Sequence, residues 1–241
     1  MRTYQILFDP SSPAGRGEEY ARSLEEAFPG DELVYRDYSL MATALDMVSF
    51  LSGGDCLVVC GGPEVISRFR TETEGLKFTN EVKVLCPEFE EEARRYCGAR
   101  ALPMERLAFF RAGGEIVPFV GTVKLGIAEA GREKELSRVM RYKPFDAFVG
   151  ADGSGNNLGR IWRLKVKIEN GAAHIECLYD MGRLRALRVL PAFEKGREEK
   201  YCDHLFTAEA KSVTVELDRP MRVSVGGKAY PEVQKFNITA G

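Results

Sequence analysis

The residues best suited to chemistry sit on two loops. In "LVVCGGPEVISRF" (57–69) an apolar run stops at Gly61-Gly62, and Pro63, Glu64 and a helical pattern over Val65, Ile66 and Phe69 follow. In "DPSSPAGRG" (9–17) Asp9, Pro10, Ser11, Ser12 and Arg16 follow an earlier apolar run. Glycines let a backbone approach a phosphate, and the start of a helix adds unpaired N–H groups and the positive end of a dipole. Serine and arginine side chains can hold phosphate oxygens. Loops of this kind at the carboxyl ends of parallel strands share the edge where open α/β sheets bind ligands. The plainer alternative is that a Gly-Gly pair after a strand is only a turn.

Other chemistries find less support. The two histidines, His174 and His204, lie in separate β-rich regions without metal-ligand spacing. There is no Gly-x-Ser-x-Gly elbow and no Gly-x-x-x-x-Gly-Lys-Ser/Thr loop. The six cysteines (56, 60, 86, 97, 177, 202) form no Cys-x-x-Cys pair and read as small buried hydrophobes in a reducing compartment. With 241 residues, 44% hydrophobic and 29% charged, the composition is that of a globular chain of one large domain or two modest ones. A formal net charge of -2 gives no general attraction to nucleic acid, so none is expected as partner. No stretch approaches the ~18 apolar residues of a membrane span, and Ile6-Leu7-Phe8 is too short for a signal-peptide core. A cytoplasmic location is expected.

The elements that must position the loops change character along the chain. Apolar runs at 3–9, 32–38, 56–60 and 82–86 alternate with helical patterns, one carrying Tyr20, Leu24, Ala27 and Phe28, another capped by Ser39 and ended by Gly53-Gly54, and a third opening at "PEFEEEARRY" (87–96). That order predicts a parallel, helix-covered sheet over residues 1–100, a nucleotide-binding-like α/β domain. Residues 101–241 predict a mainly antiparallel, β-sandwich-like domain. Leu164, Val166 and Ile168 alternate with charged residues, Asn170-Gly171 signals a hairpin, and Ala173, Ile175, Cys177 and Tyr179 alternate again. "SVTVEL" (212–217) and "MRVSV" (221–225) read as two strands with a turn at Asp218-Arg219-Pro220, and Gly226-Gly227 as the next turn. Leu184, Leu187 and Leu190 predict a helix, as does the charged stretch 128–142.

In this order the motifs resemble those of bacterial diacylglycerol kinase-type lipid kinases, which share a fold with NAD kinases. "DPSSPAGRG" looks like the family's Asn-Pro-x-Ser-Gly, "GGPEV" like its Gly-Gly-Asp-Gly-Thr, and "PEFEEEAR" falls on Gly-Thr-Gly-Asn-Asp-Phe-Ala-Arg, with Ala93-Arg94 fitting its end. "RYKPF" (141–145) is similar to Arg-Tyr-Arg-Pro-Phe, and residues 218–241 follow the family's C-terminal strand pair. The resemblance implies ATP with Mg²⁺ as cofactors, nucleotide and a diacylglycerol-like lipid as ligands, and a cofactor-binding set of Asp9, Pro10, Ser11, Ser12, Arg16, Gly61, Gly62, Pro63 and Glu90. Peripheral contact with the inner membrane face and pairing as a homodimer stay open.

The departures from that pattern fall on acids. Pro63 stands where the loop's aspartate is expected, Glu64 where the glycine after it is expected and Val65 for its threonine; Gly226-Gly227-Lys228 stands for Asp-Gly-Glu. Proline also removes a donor. Asp9, Glu64 and Glu91 are the carboxylates that could stand in, with Glu64 and Glu91 the catalytic candidates and no metal cluster in view. Three readings follow: a pseudoenzyme impaired in phosphoryl transfer, an active kinase working through Glu64 or Glu91, and a protein-interaction module on the same fold. The run Arg183, Arg185, Arg188 with Leu184 and Leu187 reads either as a membrane-facing helix or as a solvated face.

Overall fold

Alternate residues of the first apolar runs serve opposite faces of one sheet. The structure, a computed structural model, describes residues 2–127, 132–195, 197 and 202–241. They divide into two units, Met1–Leu107 and Ala108–Gly241. The first contains β1 (Thr3–Phe8), α1 (Gly17–Arg22), β2 (Glu32–Asp37), α2 (Ala44–Val48), β3 (Cys56–Cys60), α3 (Pro63–Glu72), β4 (Glu81–Leu85), α4 (Glu90–Cys97) and β5 (Leu102–Pro103). The order is β2-β1-β3-β4-β5, parallel except for β5. Ile6, Val58 and Cys60 pack with Ala21 and Leu24, whereas Leu7, Leu57 and Val59 pack with Tyr38, Met47, Val65 and Phe69. Both faces are covered, which is why "CLVVC" is apolar at every position. The first unit extends to 107 rather than 100 because Leu102 and Pro103 pair with β4.

The second helix differs from the sequence expectation. Ser39 caps nothing; it lies in a 3-10 turn whose N-terminus is capped by the Asp37 carboxylate, 2.8 Å from the Ser39 N–H. Thr43 begins α2 instead, with Asp46 returning the bond to the Thr43 N–H, a capping box. The helix then stops at Val48, short of Gly53-Gly54.

The second unit contains β6 (Ala108–Ala112), β7 (Glu115–Phe119), β8 (Thr122–Gly126), α5 (Arg132–Arg141), β9 (Phe145–Ala151), β10 (Ser154–Ile161), β11 (Arg163–Glu169), β12 (Ala172–Leu178), α6 (Arg183–Phe193), β13 (Leu205–Ala210), β14 (Ser212–Val225) and β15 (Lys228–Ala240). Residues 128–131 of the expected charged helix lie outside the described residues. The strands form one antiparallel sheet in the order β13-β12-β11-β8-β14-β15-β6-β7, with β9 on the first half of β14 and β10 on β9. It is a single hydrogen-bonded sheet that folds back on itself, since β12 contacts β15 and β13 contacts β9 without pairing. Phe110, Val166, Ile175, Val215 and Phe236 share the enclosed core. A second apolar cluster, around Trp162, holds α5 and α6 against the unit.

The turn expected at Asp218-Arg219-Pro220 is absent, and residues 212–225 are one strand. The pairing with β15 moves from Glu216↔Lys235 to Met221↔Val233, so β14 advances from 216 to 221 while β15 advances from 235 to 233. Pro220 lies inside this bulge, where its missing N–H interrupts no ladder bond. Among the described residues no helix is long and apolar enough to cross a membrane.

Candidate functional site

Strand β3 delivers Gly61 and Gly62 to the carboxyl edge of its sheet, and Pro63 starts α3 immediately. Gly61 N–H donates to the Leu85 carbonyl at 3.0 Å, tying the loop to β4. Gly62 N–H donates to Ser12 Oγ at 2.8 Å. Ser12, only 5% exposed on the first loop, donates its hydroxyl to Glu64 Oε1. The N–H groups of Val65 and Ile66 both reach the Gly62 carbonyl, at 3.1 and 3.3 Å. Pro63 has none. The donors at 61, 62, 65 and 66 are therefore used within the chain.

The Glu64 side chain curls over its own loop. A Cβ built on Gly62 would lie 2.5 Å from both Glu64 carboxylate oxygens, and one on Gly61 would lie 2.7 Å from Val65 Cγ2. Negative charge at a helix start is stabilised by the dipole, so Glu64 takes the position that favours an anion.

The first loop is closed in the same manner. Asp9 Oδ1 accepts from the Ser11 N–H at 2.8 Å and the Ser11 hydroxyl at 2.6 Å. Ser12 N–H reaches the Asp9 carbonyl, Gly15 N–H the Ser11 carbonyl, and Gly17 N–H the Pro10 carbonyl. Arg16 is exposed and makes no ion pair among the described residues. It lines an open cleft of about 250 Å³ with Pro13, Glu19, Tyr20, Pro87 and Arg100.

The remaining acids do not join the loops. Glu90 accepts from Tyr20 Oη at 2.7 Å and from Arg100 and Arg94 at 3.0 Å each. Burial pushes its carboxyl up, but these donors and the Arg100 charge outweigh it and hold the group below its ordinary value. Burial and the bond to Glu90 push the Tyr20 hydroxyl far up, so it remains a donor. Glu91 has 85% of its side chain exposed and pairs with Arg95 at 3.3 Å across one helical turn. Gly226 and Gly227 form the β14–β15 turn in the second unit, with Gly226 N–H on the Thr122 carbonyl at 3.0 Å and Lys228 exposed just beyond.

Among the described residues no three His, Cys, Asp or Glu side chains converge as metal ligands would. Burial raises the thiols of Cys60 and Cys86 to about 12, leaving them inert. Cys97 departs from the expectation of burial and is exposed, while the Cys202 side chain lies outside the described residues.

Ser12, Gly62 and Glu64 were each legible as site candidates, but their mutual bonding was not; Tyr20 and Arg100, the partners of Glu90, carry no motif. No family model matches this sequence, and no curated protein does. Solved structures share its fold. A diacylglycerol kinase from Bacillus anthracis str. Sterne aligns with a TM-score of 0.50 at 14% sequence identity, over 99% of this chain and 94% of that one. A second chain from the same organism, with a provisional diacylglycerol kinase assignment, aligns with a TM-score of 0.46 at 13% identity, over 99% and 93%.

Proposed function

We propose that this chain is a diacylglycerol kinase-like protein whose phosphate loop is closed on itself, so that ATP-dependent phosphoryl transfer to a lipid hydroxyl is lost or strongly impaired. The observation that carries the reading is Ser12, which takes the Gly62 N–H and gives its own proton to Glu64. Phosphoryl transfer depends on positioned donors and cations that neutralise the phosphates. Here the amides of Gly61, Gly62, Val65 and Ile66 already have partners, and a carboxylate stands over Gly62.

ATP with Mg²⁺ fits these residues poorly. An incoming phosphate would meet the Glu64 charge, and Pro63 supplies neither a carboxylate nor an N–H. Glu91 is turned outward, Glu90 is bound to two arginines and a tyrosine, and Asp9 is engaged by the Ser11 amide and hydroxyl, which leaves Glu64 as the stand-in acid over Gly62 among the described residues. To act as one it would have to release Ser12. Lys228 adds a cation where the resembling kinases carry an acid.

The deciding experiment titrates the protein with ATP and ADP, with and without Mg²⁺, and then assays phosphate transfer to diacylglycerol. The expected result is no transfer and no Mg²⁺-dependent ATP binding. Transfer that disappears in Glu64→Gln would overturn the reading in favour of an active kinase using Glu64.

A further inference from the structure

α6 carries three arginines and no acid over residues 183–193. Its buried side, Ala186, Leu190 and Phe193, packs into the cluster around Trp162. Leu184 and Arg188, four residues apart, stand on the opposite side, and Leu184 is 77% exposed. Arg183 and Arg185 flank it at the helix start. Arg185 meets Asp203 at 3.5 Å, but both side chains are largely exposed; Arg183 and Arg188 make no ion pair among the described residues. α5 packs alongside and turns Met140, half exposed, and Arg141 outward while Val139 is buried.

These cations do not serve the helix. Positive charge in a first turn opposes the dipole, and the N-cap Gly182 offers no side-chain acceptor. Arg185 has only the exposed pair with Asp203 in return and Arg183 none among the described residues, and a residue that works against its own element for so little points to a role outside it. Nor does a large apolar side chain at the centre of an arginine face serve solubility.

We propose that the outer face of α6, with the adjoining end of α5, docks on an anionic phospholipid surface. The charge is complementary, three arginines against lipid phosphates, and Leu184 and Met140 are placed to enter the acyl boundary while the arginine stems reach the headgroups. A nucleic acid backbone would satisfy the arginines and leave the apolar side chains in water. The inference rests on no feature of the phosphate loop, since α6 belongs to the second unit.

The test is co-sedimentation of the full chain with vesicles of phosphatidylcholine alone and of phosphatidylcholine mixed with phosphatidylglycerol. Binding is expected only to the mixed vesicles and should weaken as salt is raised. Replacing all three arginines (Arg183→Gln, Arg185→Gln, Arg188→Gln) should lower the affinity on the order of a hundredfold, and Arg188→Gln alone about fivefold. Leu184→Ser should lower it roughly tenfold. These positions are exposed, and circular dichroism checks that each variant keeps the parent fold; the single Arg188 variant decides the question if the triple one does not. Failure to bind mixed vesicles, or equal binding by a folded arginine variant, overturns the proposal. Salt-sensitive binding of duplex DNA with no vesicle binding also overturns it and assigns the face to nucleic acid.

Discussion

Gly61-Gly62 and Gly226-Gly227 both follow apolar strands and both precede a residue that departs from the kinase pattern, yet they need glycine for different reasons. At 62 the demand is space, and at 61 it is space together with a φ of 158°: side chains of Val65 and Glu64 fill the volume a Cβ would take. At 226 and 227 the demand is conformation, with φ of 54° and 88° and nothing within 4 Å of a Cβ on Gly227. The amide of Gly62 is served by a side chain from another loop, and that of Gly226 by a neighbouring backbone carbonyl. Paired glycines are therefore weak testimony to an activity, because each pair has a structural reason to be there.

The comparison can be broken at its strongest point first. Gly61→Ala should cost about 2–3 kcal/mol by overpacking, measured by urea unfolding, and Val65→Ala in the same chain should recover part of it. No recovery would mean that space is not what Gly61 supplies. Ser12→Ala comes next: it leaves the buried Gly62 N–H without its acceptor, for a loss of about 1–3 kcal/mol. No side-chain deletion has the same effect on Gly226, whose acceptor is backbone.

Gly227→Ala should cost about 1–2 kcal/mol through its left-handed backbone, and Gly227→Asn less, since asparagine tolerates that region. Equal costs for the two would argue against conformation as the cause. The smallest effect is electrostatic and belongs to the first unit. The Glu90 carboxyl titrates below its unfolded value of 4.5. Its contribution is present above that value and fades as pH falls through the lower folded one. Glu90→Gln should remove up to about 1 kcal/mol at neutral pH and flatten the acid limb of the stability curve. An unchanged acid limb would separate Glu90 from that response.

Local chemistry made some of this readable. "CLVVC" announced a strand covered on both faces, and Asn170-Gly171 joins β11 to β12 as its dipeptide promised. Thr43 and Asp46 formed a capping box visible three residues apart, though Ser39 drew attention first. Other features depend on distant partners. β6 pairs with β15, more than a hundred residues away, so nothing near 108–112 marks its place. Pro220 resembles a turn residue and sits in a bulge. Glu90 and Glu91 are the same residue in adjacent positions, and only the approach of Tyr20 and Arg100 separates a bound acid from a solvated one. For the site, the spacing exposed the loops and their missing acids, while their closure by Ser12 needed the two strands side by side.

The pairing of β15 with β6, Ala240 beside Ala108 and Asn237 beside Arg111, has a consequence for biosynthesis. A ribosome releases the second unit's first strand long before its partner exists. β14, which receives β8 and β9 along one side, also arrives late. Until residues 212–240 emerge, β6, β8 and β9 present unpaired edges to solvent or to a chaperone. Vectorial folding can complete the first unit early, whereas the second must wait for its last hairpin. A stalled or truncated nascent chain would thus carry one finished sheet and one open one.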